Sequence, residues 1–392
     1  MRRPLRMVVC LLLAWAPAQA SSWRLSEQCP ASFEKRESRC WLHSTYQQYA
    51  SLTGAGVGGL KTGLPPFRDG FTPQQIDLGR YLFFDPVLSA NGKLACASCH
   101  VPSKGFTDHR VHSIGMGGHA VRRNAPSLWN VGFLKRFFWD GRAHSLEEQV
   151  QGPLYNATEM GSRPEDLVKT LNGLPVYRTL FAQAFPPATG AAAVGDIAAT
   201  QVYSALAAFE TSLISLNSRY DFYAQGVSDA LTPHELEGLN VFRSFVARCA
   251  ECHTPPLFTN QQIAVIGMPE PAGMPFDPGA GATTGEPMLR GGFKIPSLRN
   301  AALTAPYGHS GQFASLRQTV AFYTGGRGHA VPKGENLRLH WHIWEPQLSG
   351  VELDRLVDFI GALTDESFLP TTPAVLPSGL PLPLDSTLGE HS

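Results

Sequence analysis

Charged side chains are scarce in this sequence, and neither sign is in excess. Lys and Arg number 32, Asp and Glu also number 32, and together they form only 16% of the 392 residues. A nucleic-acid-binding protein would show a basic excess, and a disordered chain would combine high charge with few aromatic residues, which here make up 10%. We therefore expect an ordered protein that does not bind nucleic acid, with two domains or one large one at about 100–200 residues per domain.

Long apolar runs are also missing, apart from a short one at the N-terminus. Three arginines in the first six residues precede an apolar stretch over 7–15 and a small-x-small site at 18–20, which together predict a secretory signal peptide over residues 1–20. The stretch is too short to cross a bilayer, which takes about 20 apolar residues, so we predict no membrane span. The mature chain would begin near Ser21 in an exported, oxidising compartment.

Seven cysteines are present, and each has a predicted fate. Cys10 leaves with the signal peptide. Cys29 and Cys40 are candidates for a disulfide in an exported protein, the alternative being two unpaired thiols. The other four form two copies of the pattern C-x-x-C-H, which comprise Cys96, Cys99 and His100 and then Cys249, Cys252 and His253.

The pattern C-x-x-C-H is the attachment signature of c-type haem. Two thiols add to the porphyrin vinyl groups, and the adjacent histidine ligates the iron. Thioredoxin-like redox pairs and zinc sites are the alternatives, but neither requires a histidine directly after the second cysteine in both copies. The sequence therefore predicts a dihaem cytochrome with two covalently bound haem c groups.

The surroundings of the two motifs repeat. Thr72–Gln75 and Thr232–Glu235 each start with a cap residue followed by Pro, the pattern of a capped helix, and the second helix is predicted to run to Phe245. Asp196 and Ser349 are predicted to cap a long helix and a last helix. No stretch shows sustained strand alternation, so we expect a mainly α fold with two cytochrome c-like haem domains and long loops.

Further motifs carry a family resemblance that covers roughly Phe71 to Leu363. They read RNAPSLWN, FWDGRA, LEEQ, GP, EM, KIPSLRN and TAPYGH, at residues 123–130, 138–143, 146–149, 152–153, 159–160, 294–300 and 304–309. On these residues the chain resembles the bacterial dihaem cytochrome c peroxidase and MauG family. The resemblance implies H2O2 as a substrate, a periplasmic location and Ca2+ between two haem domains.

Taken together, the sequence features divide the chain into five segments. They are a signal peptide at 1–20, an N-terminal extension at 21–70, a first, peroxidatic haem domain at 71–225, a second haem domain at 226–369 and a Pro-rich tail at 370–392. We expect the chemistry at the interface that the two haem domains share.

Roles for individual residues follow from the same resemblance. They are the proximal haem ligands His100 and His253, the distal glutamate Glu159 with its pocket companions Gln149 and Pro153, Trp139 between the haems, and the calcium ligands Asn124, Thr304 and Pro306. Glu159 would shuttle a proton while the peroxide O–O bond breaks, and the backbone carbonyls at 304 and 306 are hard donors that suit Ca2+. Without the resemblance, a lone Glu in a loop is usually solvated, and Trp139 could simply be a core residue.

Two positions depart from the peroxidase pattern. Where the second haem of the peroxidases takes a Met sulfur, this chain has Tyr323, as MauG does. A phenolate is a hard anionic donor that favours Fe(III) and Fe(IV) over Fe(II), and the alternative is a Tyr packed in the core. Where the first haem has a blocking distal His, this chain has Met116, with His119 three residues on. We expect an open first haem, and ligation by Met116 or by His119 stays an alternative.

These features predict a periplasmic MauG-like oxidoreductase that uses H2O2 to form a high-valent dihaem state and to oxidise residues of a partner protein, above all Trp. Its layout, with a Cys-bearing N-terminal extension, is similar to that of MauG-like enzymes that convert a partner tryptophan to kynurenine. The alternatives are a dihaem cytochrome c peroxidase that takes electrons from a small donor protein, and a non-catalytic dihaem electron carrier. Trp341 and Trp344 are candidates for the exit route of the oxidising equivalent.

Overall fold

The structure, a computed structural model, describes residues 23–43, 63–187, 195–325, 331–341, 343 and 346–383. The predicted signal peptide and Trp344 lie outside these ranges. Within them the chain is mainly helical with few strands, and none of the helices is long and apolar enough to cross a membrane. The helices are α1 (Pro73–Phe84), α2 (Leu146–Gln149), α3 (Gln151–Tyr155), α4 (Pro164–Asn172), α5 (Pro175–Ala184), α6 (Ala199–Thr211), α7 (Arg219–Ala224), α8 (Pro233–Phe242), α9 (Cys249–Cys252), α10 (Ala280–Thr284), α11 (Leu316–Phe322) and α12 (Gly350–Gly361). The strands are β1 (Phe33–Arg36), β2 (Arg39–Leu42), β3 (Ile263–Val265) and β4 (Gly292–Lys294).

Three of the predicted helix starts are confirmed. Helices α1, α8 and α12 begin directly after Thr72, Thr232 and Ser349, and each cap side chain accepts a hydrogen bond from the backbone N–H three residues on. In all three helices the side chain of that third residue accepts a bond from the cap's own backbone N–H, so two donors at the helix start are satisfied. Local sequence therefore determines where the helices that precede each haem motif begin.

Two predicted helix boundaries are wrong. Asp196 does not cap α6, because the Ile197 N–H donates to the side-chain oxygen of Asn172 at 2.9 Å and keeps the chain extended for two more residues. Helix α8 ends three residues before Phe245, whose side chain is 74% exposed. There the chain leaves the helical path and turns towards the second haem motif.

Two short antiparallel pairs of strands, the first of them a hairpin, depart from the expected absence of strands. Strand β1 pairs with β2 and β3 pairs with β4, and each strand has only three or four residues. Alternation of apolar and polar residues cannot show in runs this short. The first hairpin carries the disulfide between Cys29 and Cys40, which confirms the predicted pairing. Cys40 packs with Ile76 of α1 and Ala208 of α6, so the disulfide fastens the N-terminal extension to these two helices.

The two largest of the four hydrophobic clusters in the described residues each form around a pair of crossing helices, and we call them the first and the second core. In the first core, which contains Phe83, α1 packs against α6; in the second core, which contains Phe242, α8 packs against α12. A glycine stands at each crossing, since a Cβ added to Gly79 or to Gly238 would lie 1.9 Å from a carbonyl oxygen of the facing helix. The two cores are therefore built on the same pattern.

One asparagine turn recurs 170 residues apart and belongs to this shared pattern. Asn130 and Asn300 both have positive φ, of 61° and 58°, a conformation that Asn adopts more readily than most residues. The Asn130 side chain donates to the carbonyl of Ser215 at 2.8 Å and accepts from its N–H at 2.9 Å, and Asn300 makes the same pair of bonds with Asp365 at 3.0 and 2.6 Å. Each turn is thus tied to the segment that leaves its long helix.

The C-terminal segment returns to the first core after α12. Leu376 is buried in that core, and Ser378 donates to the carboxylate of Asp85 from its hydroxyl at 2.7 Å and from its backbone N–H at 3.2 Å. The hydroxyl of Tyr177 donates to the same carboxylate at 2.6 Å. The Pro-rich segment is therefore fastened to the turn that follows α1, just ahead of the first haem motif.

We expect Gly79→Ala to lower the free energy of unfolding by about 1–3 kcal/mol, the usual cost of overpacking a core. The added Cβ would collide with the carbonyl oxygen of Ala205 across the α1–α6 crossing. Gly361→Ala is the matched control, because Gly361 ends a helix and has nothing within 4 Å of an added Cβ. Urea unfolding followed by circular dichroism measures both variants, and equal stabilities would contradict the close crossing.

Candidate functional site

The first C-x-x-C-H motif folds as a single turn ahead of its histidine. Cys96–Ser98 form one turn of 3-10 helix, and the Nδ1 of His100 donates to the carbonyl of Phe106 at 2.9 Å. Burial lowers the pKa of His100, so the ring stays neutral. A histidine held in this way through Nδ1 has the lone pair of Nε2 free for a metal.

The second motif repeats this arrangement. Its cysteines begin and end α9, and the Nδ1 of His253 lies 3.1 Å from the carbonyl oxygens of both Phe258 and Pro296. Burial lowers the pKa of His253 as well. Phe106 and Phe258 both have positive φ, so a similar backbone shape presents the carbonyl to each histidine.

The four cysteines of the motifs are free thiols whose ionisation burial suppresses. Burial raises the pKa of Cys99 to about 11 and that of Cys249 to about 12. A redox-active pair needs a lowered thiol pKa. Within the described ranges, no group of three or more His, Cys, Asp or Glu is placed to hold a metal such as zinc. The raised thiol pKa values therefore disfavour the redox-active pair among the alternatives.

A cavity of about 280 Å³ opens beside the second motif. Its walls include Cys249 and His253 from the motif, Tyr323 from the turn after α11, and Trp139. Burial raises the pKa of Tyr323 above its ordinary value, and the nearby thiols of Cys249 and Cys252 raise it further. The Tyr323 hydroxyl therefore lies within electrostatic reach of the second motif.

The lining of this cavity suits an apolar ligand that carries negative charge. Among the described residues no Asp or Glu belongs to the lining, whereas Lys294, Arg248 and Arg299 do. Arg299 is paired with the carboxylate of Asp221 at 2.5 and 2.7 Å. Lys294 has no acidic partner among the described residues, and burial lowers its pKa to about 8. A haem c group, an apolar disc with two carboxylates, matches this chemistry.

The shared pattern of the two cores places Pro153 where Tyr323 stands. The offset of 170 residues that relates the asparagine turns also relates the helix caps Ser145 and Ser315, and each cap follows a turn closed by an isolated antiparallel bridge. Counting on by the same offset, Pro153 corresponds to Tyr323. Pro153 has no side-chain atom that ligates a metal, so the equivalent position offers a donor in one copy and none in the other.

Glu159 lies in a turn that is tied to the loop after the first motif. Its Oε1 accepts a hydrogen bond from Asn156 at 2.7 Å, and burial raises the pKa of its carboxyl. The Met116 N–H donates to the carbonyl of Glu159 at 2.9 Å, while a Cβ added to Gly115 would lie 2.0 Å from the carbonyl oxygen of Thr158. Because only a glycine fits there, the loop is held directly against the Glu159 turn.

The other residues predicted for the distal side of the first haem lie close to Glu159 in the chain. None of them makes a hydrogen bond to the Glu159 carboxylate among the described contacts. Gln149 is half-buried at the end of α2, and Pro153 is half-buried within α3. His119 is exposed with its ring beside Gly117, whereas the Met116 side chain packs near Gly161. The structure therefore joins Met116 to Glu159 and leaves His119 at the surface.

Trp139 lies where the two cores meet. We call this region the seam, and we define it by the hydrogen bonds of Asn124 and Trp139 with His309 and Lys294. The indole N–H of Trp139 donates to the carbonyl of Asn124 at 2.8 Å, and the Trp139 carbonyl accepts from the Lys294 N–H at 2.7 Å. The Asn124 N–H in turn donates to the carbonyl of His309 at 2.8 Å. All four residues line the cavity, so Trp139 is held at both ends beside it.

The three predicted calcium ligands also line this cavity. They are Asn124, Thr304 and Pro306. The amide nitrogen of Asn124 donates to the carbonyl of Arg110 at 2.7 Å, which leaves the side-chain oxygen as the acceptor for a cation. Amide and carbonyl oxygens are the hard donors that Ca2+ prefers.

Two charged residues in the cavity region received no role from the sequence. Lys294 presents an ammonium group to the cavity, and Arg123 binds Asp140 and Asp277 on opposite sides of the seam. No pattern marks them, because a single Lys or Arg inside a motif is common. Their surroundings depend on segments that are far away in the chain.

Comparison with known proteins places the chain in a family. The family model for di-haem cytochrome c peroxidase matches residues 73–229. The cytochrome c551 peroxidase of Nitrosomonas europaea is 36% identical over 276 residues, which cover 69% of this chain and 79% of that protein. This chain belongs to the di-haem cytochrome c peroxidase and MauG family.

Similarity to this family extends to MauG proteins and to the fold. The methylamine utilization protein MauG of Methylorubrum extorquens is 35% identical over 261 residues, which cover 67% of this chain and 71% of that protein. The crystal structure of a MauG-like protein associated with microbial copper homeostasis aligns with a TM-score of 0.68 at 32% identity, and covers 78% of this chain and 95% of that one. The chain is thus an oxidoreductase of a family whose members carry two haem groups.

In this dihaem oxidoreductase we expect Lys294→Met to lower the midpoint potential of the haem at the second motif by roughly tens of millivolts. For a one-electron step, about 59 mV corresponds to a tenfold change in the equilibrium constant. Removing a buried positive charge disfavours the reduced iron. Lys135→Met, at an exposed lysine, is the control. Spectroelectrochemical titration of the holoprotein measures both, and an unchanged potential in Lys294→Met would argue against a charge partner for the haem at this position.

Proposed function

We propose that this chain is a periplasmic, MauG-like dihaem enzyme that uses H2O2 to oxidise a residue of a partner protein, with tryptophan as the expected target. One haem c would be held by the motif at 96–100 and the other by the motif at 249–253. The observation that carries the proposal is the half-buried Tyr323, which shares a cavity with the second motif. The similarity to MauG and to a MauG-like structure supports it.

The periplasmic location rests on the predicted signal peptide and on a cysteine pair that is bonded. The disulfide between Cys29 and Cys40 is the kind of bond that persists in exported proteins. Covalent haem at two C-x-x-C-H motifs is consistent with the same compartment.

The first site would bring peroxide to Glu159. Bound haem c supplies an iron that reacts with peroxide and a conjugated ring through which electrons move. The Glu159 carboxylate would take the proton from the peroxide oxygen that binds and return it to the oxygen that leaves as water. Burial raises the pKa of Glu159 towards neutral pH. A carboxyl group with a raised pKa can both accept the proton and return it. The hydrogen bond from Asn156 holds the carboxylate in place.

Two features would keep this first site free of a protein ligand. Pro153 occupies the position equivalent to Tyr323 but has no ligating atom. Met116 is tied to the Glu159 turn through its backbone, and His119 is exposed. We therefore propose that neither Met116 nor His119 ligates the first iron at rest, so that peroxide has direct access.

Tyr323 would bind the second iron as a phenolate. Burial raises the pKa of the unbound side chain, so the phenol keeps its proton until a metal cation displaces it. A hard anionic donor stabilises the higher oxidation states of iron, whereas the thioether of Met stabilises the lower one. This ligand suits a site that withdraws electrons from a partner and suits poorly a site that collects electrons from a small donor protein.

Trp139 would carry electrons between the two sites. Its backbone and its indole are each held by a hydrogen bond at the seam. Oxidation of the partner would then take place at the protein surface, and the substrate need not enter the pocket. Trp341 is 64% exposed and is the candidate exit residue within the described ranges.

A calcium ion and two haem domains belong to the same proposal. Asn124 comes from the proposed first haem domain at 71–225, whereas Thr304 and Pro306 come from the proposed second haem domain at 226–369. A cation bound by these three residues would hold the domains together at the cavity, with the oxygen donors that Ca2+ prefers.

A cytochrome c peroxidase that removes H2O2 with electrons from a small donor protein is the second candidate. The observation in its favour is the 36% identity with a cytochrome c551 peroxidase. The carrier alternative, which needs no acid–base group, gives no role to a half-buried Glu159 whose pKa burial raises.

Addition of H2O2 to the diferric holoprotein, with and without a protein encoded beside it, tests the function. We expect mass spectrometry to find oxygenated aromatic residues in the partner, at a rate about 10²–10⁴-fold lower in Glu159→Gln because the proton shuttle is lost. An unmodified partner, with prompt turnover on a reduced small cytochrome c, would identify a peroxidase instead. Two low-spin haems that do not react with peroxide would leave only the electron carrier.

We expect Tyr323→Met to change the spectrum of the second haem, to raise its midpoint potential and to abolish oxidation of the partner, because a thioether favours the reduced iron. Tyr307→Phe is the matched control: Tyr307 lines the same cavity, but its hydroxyl already donates to the carbonyl of Ala301 at 2.9 Å. An unchanged second-haem spectrum in Tyr323→Met would remove the ligand role.

A further inference from the structure

A cluster of charged side chains crosses the seam next to Trp139. The guanidinium of Arg123 lies at its centre and donates to Asp140 at 2.7 Å and to the two carboxylate oxygens of Asp277 at 2.8 and 3.0 Å. Asp140 directly follows Trp139 in the chain, whereas Asp277 lies in the segment between β3 and β4. One side chain thus joins a carboxylate from each side of the seam, and we name this three-residue group the clamp.

The clamp is shielded from water. The side chains of Asp140 and Asp277 are only 2% and 3% exposed, and that of Arg123 is 19% exposed. Charges this deeply buried are tolerated when they are paired, and removal of one partner leaves the others uncompensated. The contact therefore behaves as a fixed link, unlike a surface ion pair that water and salt would weaken.

Both ends of the clamp are anchored on their own side. Asp140 also accepts from Arg142, at 2.9 Å to each of its oxygens. Asp277 donates from its backbone N–H to Glu270 at 3.0 Å and accepts from the Gly279 N–H at 2.8 Å. Gly279 has no room for a side chain, because an added Cβ would lie 2.3 Å from a carbonyl oxygen. A substitution of Arg123 would therefore alter the position of the segments on both sides of the seam.

The clamp residues adjoin the two groups that hold Trp139. Arg123 precedes Asn124, whose carbonyl accepts the indole N–H at 2.8 Å. Asp140 follows Trp139, whose own carbonyl accepts from the Lys294 N–H at 2.7 Å. The ionic link and the two hydrogen bonds of Trp139 thus share the same stretch of backbone, and the position of the indole depends on all three.

We propose that Arg123 is a positioning residue that fixes Trp139 at the seam and thereby sets the rate of electron transfer between the two haem sites. The inference rests on the proposed function, in which Trp139 carries electrons between the haems. In the contacts of the described residues Arg123 reaches neither Glu159 nor the proposed haem ligands, and it acts through Asp140 and Asp277.

Arg123→Gln in the holoprotein tests this role. We expect electron transfer between the haems, followed after laser photolysis of CO from the half-reduced protein, to slow by roughly tenfold, because a displaced indole relays the electron less well. Arg122→Gln is the matched control, since the adjacent Arg122 approaches Asp277 at 3.4 Å but is 55% exposed and does not reach Asp140. That control should keep the wild-type rate.

Further variants separate the clamp from the proposed function. Trp139→Phe should slow the transfer at least as much as Arg123→Gln, and Arg123→Lys, which keeps the charge, should recover part of the rate. Asp277→Asn, which keeps the size of the side chain, replaces Arg123→Gln if that variant does not fold, and it should slow the transfer too. Wild-type rates in the clamp variants beside a slow Trp139→Phe would overturn the positioning role alone. A wild-type rate in Trp139→Phe would overturn the electron path and the positioning role together.

Discussion

The hydrogen bonds from the two motif histidines to the carbonyls of Phe106 and Phe258 set the geometry on which the rest of the structure depends. Each bond holds the Nδ1 edge of an imidazole ring against the backbone, and so determines the direction in which Nε2 would bind a metal. The supporting residues are themselves braced, because Phe106 packs edge-on against Phe83 of α1, and Phe258 against Phe242 of α8. Each pair of crossing helices therefore holds the loop that orients its histidine.

Asymmetry enters this repeated framework at equivalent positions. Pro153 and Tyr323 correspond, and only one of them offers a donor atom. Asn124 and Lys294 correspond in the same way, 170 residues apart, and both line the one cavity. The first is a neutral oxygen donor of the kind that binds a cation, and the second is itself a cation that suits an acidic ligand. A duplicated unit can thus acquire two chemistries through single residues while its packing stays the same.

Features encoded by neighbouring residues could be predicted from the sequence, and features that depend on distant residues could not. The capped helix starts, both haem motifs and the disulfide depend on contacts within about a dozen residues. The start of α6, in contrast, is set by Asn172, 25 residues away from its bonded partner in the chain. The bond between Arg123 and Asp277 joins residues 154 apart, and no periodicity records such a pairing. The approach of Gly115 to Thr158 is likewise visible only in three dimensions.

The return of the C-terminal segment to Asp85 makes the first core depend on residues that lie far away in the chain. Leu376 and Ser378 belong to the packing around the first core, and 293 positions separate Ser378 from the Asp85 carboxylate that it binds. The first core is therefore complete only when the segment that follows the second core has folded back onto it, so the two cores are linked in folding as well as in space. A chain cut after α12 would lack this final closure, and its defect would appear at the opposite end of the sequence from the cut.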